Sequence, residues 1–147
     1  MPKPTSSPTS PPTRSPRAST VAVRRQLRAA VQAAMAKKAI DPVILDLRRV
    51  ADFCDYFVIC HGTNPHQVQA IADAVELVLE RTEKLRPAHR EGGRGGEWLV
   101  LDYLDFIVHV FSTNARSFYN LERLWSAALR LPNPKTVKDS ISSVFNA

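Results

Sequence analysis

Gly62-Thr63 follows an apolar run and precedes Asn64-Pro65, a residue order that starts helices. Free amides at a helix start favour anions, so a strand, a Gly-Thr turn and a helix make half of a nucleotide-handling site. The chain has no GxxxxGK[ST] loop and no GxGxxG. A metal-dependent nucleotidyltransferase would add two carboxylates on one strand face to hold a divalent cation. The nearest pair is Asp102 and Asp105, three apart across a turn. On a strand that spacing sends them to opposite faces; in a hairpin turn they can converge, and no third ligand is evident.

The other reactive side chains are scattered. His61, His66, His89 and His109 form no HExxH and no tight metal pair. Cys54 and Cys60 form no CxxC, which excludes a disulfide scaffold and the usual cysteine zinc site and suits a reducing compartment. His61 follows Cys60 directly, but neighbours on a strand point to opposite faces, so no activated thiol is expected. Trp98 opens a strand after a glycine-rich stretch. Alternation sets Trp98, Val100 and Asp102 on one side and Leu99, Leu101 and Tyr103 on the other. If the second set faces the core, Trp98 and Asp102 face outward. A tryptophan with Asp102 and Asp105 has the composition of a protein-binding patch for a basic partner. The competing expectation is that Trp98 is the last core residue beneath the loop.

The elements that position these residues can be read from the pattern. Residues 1–19 hold six of the eleven prolines, eight Ser or Thr and no aromatic residue, so they are expected to be a disordered tail. An acid-poor leader of this kind is also compatible with an organelle transit segment, although its prolines oppose an amphipathic helix. Thr20 is expected to cap a helix over 21–38, with Val23, Leu27, Val31, Ala34 and Met35 on its apolar stripe and Asp41-Pro42 stopping it. Val43–Leu47 and Tyr56–Cys60 read as strands, the second buried on both faces and central. A helix from Pro65 to Glu83 buries Val68, Ile71, Val75, Val78 and Leu79. Leu85–Glu97 reads as a loop. Trp98–Tyr103 and Phe106–Phe111 read as a hairpin. A last helix over 114–130 carries Phe118, Leu121, Leu124, Trp125 and Ala128, and a loose tail occupies 131–147. The expected fold is α/β, with a mixed sheet flanked by helices in αββαββα order and a folded domain over residues 20–130.

Length and charge limit the function classes. The chain has 147 residues and a net charge of +6. No apolar run approaches the roughly 18–20 residues of a membrane helix, and no apolar segment of a secretory signal follows the start. Residues 1–40 carry eight Lys or Arg and no acid, whereas residues 41–147 carry twelve basic and fourteen acidic residues. The basic charge therefore belongs to the leader and first helix, and the body is faintly acidic. Arg24, Arg25 and Arg28 are candidates for polyanion contacts.

Three blocks of sequence resemble the ribosomal silencing factor family, also called RsfS or Iojap-like. They are Asp55-Tyr56-Phe57-Val58-Ile59-Cys60-His61-Gly62-Thr63 with Gln67, Ala70, Ile71, Ala72 and Asp73, then Glu91-Gly92 with Trp98-Leu99-Val100-Leu101-Asp102-Tyr103, Asp105 and Val108-His109-Val110-Phe111, and last Arg116, Phe118-Tyr119, Leu121-Glu122 and Leu124-Trp125. The likeness spans roughly residues 22–129. It implies a fold shaped like nucleotidyltransferases without their catalytic carboxylates, no enzymatic activity and no cofactor. It also implies a homodimer when free, in the bacterial cytoplasm or less readily in an organelle. It implies binding to the large ribosomal subunit through ribosomal protein uL-fourteen, which blocks the small subunit and represses translation when nutrients are scarce. Trp98, Asp102 and Asp105 match positions in the family's partner-binding hairpin. Leu104 stands where the family usually has Gly; it is either strained at positive φ or part of a rebuilt turn that adds apolar contact.

Overall fold

The computed structural model of the protein describes residues 19–92 and 94–133. The leader before Ser19 and the tail beyond Asn133 lie outside the described residues. Helix α1 (Thr20–Ala36) starts one residue earlier than its expected cap, because the Ser19 side chain accepts the Ala22 amide at 3.1 Å. Val23, Leu27, Val31 and Ala34 are buried, as their spacing predicts. The helix ends before Asp41-Pro42. Those two residues instead form an irregularity inside strand β1 (Ile40–Asp46), where the pairing register slips between Ile40 and Val43 and Asp41 takes φ +47°.

Strand β2 (Tyr56–Gly62) is buried almost throughout and lies inside the sheet. Helix α2 (Pro65–Glu83) follows, capped by Asn64, whose side chain accepts the Gln67 amide at 2.9 Å. Its Val68, Ile71, Val75, Val78 and Leu79 are fully buried. At roughly 1.5–3 kcal/mol for each fully buried side chain of this kind, that stripe alone anchors the helix to the sheet.

The expected loop 85–97 contains a further strand, β3 (His89–Gly92), paired antiparallel with β4 (Trp98–Asp102). Gly92 permits the pairing. Its φ is +89°, and a Cβ there would lie 2.1 Å from the carbonyl oxygen of Trp98. Strand β5 (Phe106–Ser112) completes the hairpin with β4 and runs parallel to β2. The last helix is shorter than its stripe suggests. Helix α3 (Thr113–Tyr119) ends at Asn120, which sits at φ +45° and caps the one-turn helix α4 (Leu121–Leu124). The chain then forms β6 (Leu129–Leu131) against β1, so the folded part continues past residue 130.

The result is a six-stranded mixed sheet in the order β3-β4-β5-β2-β1-β6. The inner elements keep the expected αββαββα order, and the two additional strands lie at the sheet edges. Helices α1 and α2 cover one face, over Ile44, Val58, Cys60, Leu99, Leu101, Val108 and Val110. The opposite face carries a smaller cluster of Leu45, Leu47, Phe57, Ile59 and Phe111, with Ala115, Leu121 and Trp125 above it. The short α3 and α4 cover only part of that second face, and Val100 and Ile107 on it stay half-exposed.

Candidate functional site

The two halves of a nucleotidyltransferase site do not meet. Gly62 pairs with Ser112 at the carboxyl ends of β2 and β5, while the Asp102–Asp105 turn leads into Phe106 at the amino end of β5. Six residues of strand separate the two ends, about 20 Å at ~3.3 Å per residue. The Gly-Thr turn is also occupied by the chain itself. Gln67 Oε1 accepts both the Thr63 amide at 2.7 Å and the Thr63 hydroxyl at 3.0 Å. Asp102 Oδ1 is committed to the turn, accepting the Leu104 amide at 2.8 Å. Among the described residues no three His, Cys, Asp or Glu side chains are grouped to hold a metal ion. Burial pushes the thiols of Cys54 and Cys60 up to about 12, so neither is activated as a nucleophile.

The structure does assemble a surface of rings on the second face of the sheet. Leu99, Leu101 and Tyr103 are buried under the helices, so Trp98, Val100 and Asp102 point the other way, as alternation predicts. Trp98 is half-buried, between the two expectations for it. Its ring packs on Phe111 at 4.8 Å and Tyr119 at 4.6 Å, and its Nε1–H donates to His109 Nδ1 at 3.1 Å. His109 meets Phe57 edge-on at 4.5 Å, and Phe57 packs on Phe53 at 5.9 Å. Phe118 leans on Tyr119 at 5.0 Å. The rings thus run without a break from Phe53 to Phe118, and their two ends are open to solvent at 50% and 81%.

The acidic residues gather at one end of this surface. The Asp55 amide donates to the Asp105 carbonyl at 2.9 Å, which ties the loop before β2 to the β4–β5 turn. The loop that carries Asp55 and the exposed Phe53 therefore lies beside the turn that carries Asp102, Asp105 and the exposed Leu104. Trp98 is four residues from Asp102, about 13 Å along the strand, so the two mark opposite ends of one face. Phe53, Asp55 and Tyr119 were not singled out as site residues from sequence. Only the pairing of β2 with β5 and the turn into α3 bring them beside Trp98 and Asp105.

Leu104 sits at φ +73°, so the first alternative for it holds: its backbone keeps the left-handed conformation that suits glycine, and its side chain is 41% exposed. Leu104→Gly relieves the left-handed strain and raises the stability of the free domain by about 1 kcal/mol, read by urea denaturation. The basic candidates fall elsewhere. Arg24, Arg25 and Arg28 project from α1, on the far side of the sheet from Trp98, and Arg25 pairs with Glu83 at 2.9 Å.

Fold and surface together define the class: a mixed α/β domain with a ring-lined, partly uncovered sheet face, whose Gly-Thr turn and carboxylates are too far apart to form one reaction centre. Residues 20–145 match the family described as "Ribosomal silencing factor during starvation". The chain belongs to that family. The ribosomal silencing factors of Halalkalibacterium halodurans and Bacillus subtilis are each 38% identical to it over 102 residues, which is 69% of this chain and 86% of theirs. "Protein Iojap-related, mitochondrial" of Arabidopsis thaliana is 32% identical over 95 residues, 61% of this chain and 50% of that one. A crystal structure from Bacillus halodurans superposes with a TM-score of 0.65 at 35% identity, covering 74% of this chain and 98% of that one. A Chromobacterium violaceum structure shares the fold with a TM-score of 0.68 at 24% identity, covering 82% and 98%. The bacterial relatives are named as ribosomal silencing factors, and the plant relatives are named as mitochondrial and chloroplastic Iojap proteins. Among the described residues no helix is long and apolar enough to cross a membrane.

Proposed function

We propose that this chain silences translation by binding the large ribosomal subunit through ribosomal protein uL-fourteen and physically excluding the small subunit. The observation that carries the reading is the ring surface from Phe53 to Phe118, with Trp98 at its centre and the Asp55, Asp102 and Asp105 carboxylates at one end. A half-buried tryptophan among packed rings has the character of an interface anchor. The acidic corner suits a basic partner, steering its approach and fixing its orientation. Family membership supplies the ribosome as the setting.

No reaction is required. An interface of about 800 Å² per partner suffices for a stable complex, and occupancy does the rest. In this reading Trp98, Asp102, Leu104 and Asp105 touch the partner protein. Arg24, Arg25 and Arg28 lie on the other layer and are assigned a separate contact with ribosomal RNA. The free protein is a homodimer acting in the bacterial cytoplasm. Residues 20–131 form the working domain, with 1–19 as its leader and the remainder as its tail.

The test mixes purified protein with separated subunits and follows their joining by sedimentation. The expected result is co-sedimentation with large subunits and loss of joined ribosomes as the protein is added. Undiminished joining at saturating protein overturns the reading.

A further inference from the structure

We propose that His109 is a positioning residue of this contact surface: its Nδ1 accepts the Trp98 indole N–H and so fixes the orientation in which the ring meets its partner. The inference rests on the contact reading above and assigns a role within it.

The geometry is specific. Trp98 Nε1 lies 3.1 Å from His109 Nδ1 across the β4–β5 pair, where Val100 is the direct partner of His109 and Trp98 pairs with Phe111. Accepting that bond fixes the imidazole as the neutral form that carries its proton on Nε2. Burial also keeps the ring neutral, since its pKa is lowered to about 3. The bond is therefore present throughout the physiological range.

The other ring nitrogen supplies the second argument. His109 is 6% exposed, and its Nε2 is buried with no hydrogen-bond partner among the described residues. A buried donor without an acceptor weakens a fold, and an apolar side chain of similar size would avoid that cost. Phe57, Phe111 and Trp98 surround the ring and would accommodate such a side chain. Histidine at this position thus departs from what stability favours, and such departures are expected at functional sites. What it supplies in return is one acceptor, aimed at the ring that anchors the surface. Without it the contacts that hold Trp98 are apolar ones, chiefly the tilted rings of Phe111 and Tyr119, which do not fix the direction of the indole N–H.

The experiment compares wild type with His109→Leu, which removes the acceptor, and His109→Asn, whose Oδ1 stands near the Nδ1 position. Hydrogen exchange of the Trp98 indole N–H is read by NMR in the free protein. The second tryptophan, Trp125, packs on Phe53 and Phe57 and serves as internal reference. Binding to isolated large subunits is measured in parallel. His109→Leu is expected to stay folded, to speed Trp98 indole exchange and to weaken subunit binding, each about tenfold, the change that losing one ordinary hydrogen bond produces. His109→Asn is expected to restore both. Unchanged indole exchange in His109→Leu overturns the proposal, as does equal loss of binding in the two variants, which would mark a purely structural role. Wild-type protein that does not bind large subunits overturns the contact reading instead. That failure is separable, because indole exchange needs no ribosome.

Discussion

Trp98→Ala lowers affinity for isolated large subunits by about thirtyfold or more, the loss of roughly 2 kcal/mol that marks an interface hot spot. The side chain divides its surface between two tasks. One part packs within the domain against Phe111 and Tyr119, and the rest faces outward beside the half-exposed Val100. Alanine removes both, so some loss of stability accompanies the loss of binding, and the two are separated by measuring urea midpoints beside affinities. Trp98→Phe retains most of the packing area but lacks the N–H, and falls between alanine and wild type. Glu80→Ala, on the helical layer at its ion pair with Arg86, leaves binding unchanged and controls for surface charge. Alanine at 98 that binds as tightly as wild type removes the anchor and with it the proposed surface.

The inner part of this fold was legible because local signals and tertiary packing agree there. Asn64-Pro65 starts α2 and the 3.6-residue stripe from Val68 to Leu79 is buried throughout. The apolar run Tyr56–Cys60 is rich in strand formers and lies centrally in the sheet. The edges were not legible. His89-Arg90-Glu91-Gly92 is exposed at every position, so β3 has no apolar alternation and exists through its pairing with β4. Leu129–Leu131 is three residues long and is specified by an open edge on β1. The break at Asn120 was hidden for another reason: apolar residues at 118, 121, 124 and 125 keep helical spacing across it. The left-handed turn instead aims Phe118 and Leu124 outward and keeps Leu121 and Trp125 against the sheet.

The candidate surface was legible by residue type and obscure in arrangement. Alternation along β4 places Trp98 and Asp102 on the outer side, where the structure has them. No spacing rule links Phe53 or Tyr119 to them, since each comes from a different stretch of chain. Nor does the sequence reveal that Asp102 is bonded to the Leu104 amide, a contact that costs the carboxylate some freedom to act on a partner and helps hold Leu104 at positive φ.

Acid destabilises this domain through His109, beginning at pH values where ordinary carboxylates are still ionised. Burial lowers its pKa to about 3 from an ordinary value of 6.5. Between those values the unfolded chain binds a proton that the folded chain refuses, so stability rises with pH and falls as the solution is acidified. The slope approaches about 1.4 kcal/mol per pH unit, and from pH 6 to pH 4.5 the loss is about 2 kcal/mol. That is a large share of the stability of a single domain. Burial, with Arg116 beside it, lowers His61 as well, which adds in the same sense. Burial raises the Asp46 carboxyl, but the hydrogen bonds from Arg48 outweigh it and hold that group below its ordinary value, so its contribution fades only at still lower pH. Urea denaturation at half-unit steps between pH 6.5 and pH 4.5 reads the slope directly. His109→Asn, which cannot be protonated in this range, flattens most of it and leaves the smaller part due to His61. Equal slopes in the variant and wild type would show that the unfolded and folded chains hold the His109 proton alike, and would overturn this prediction.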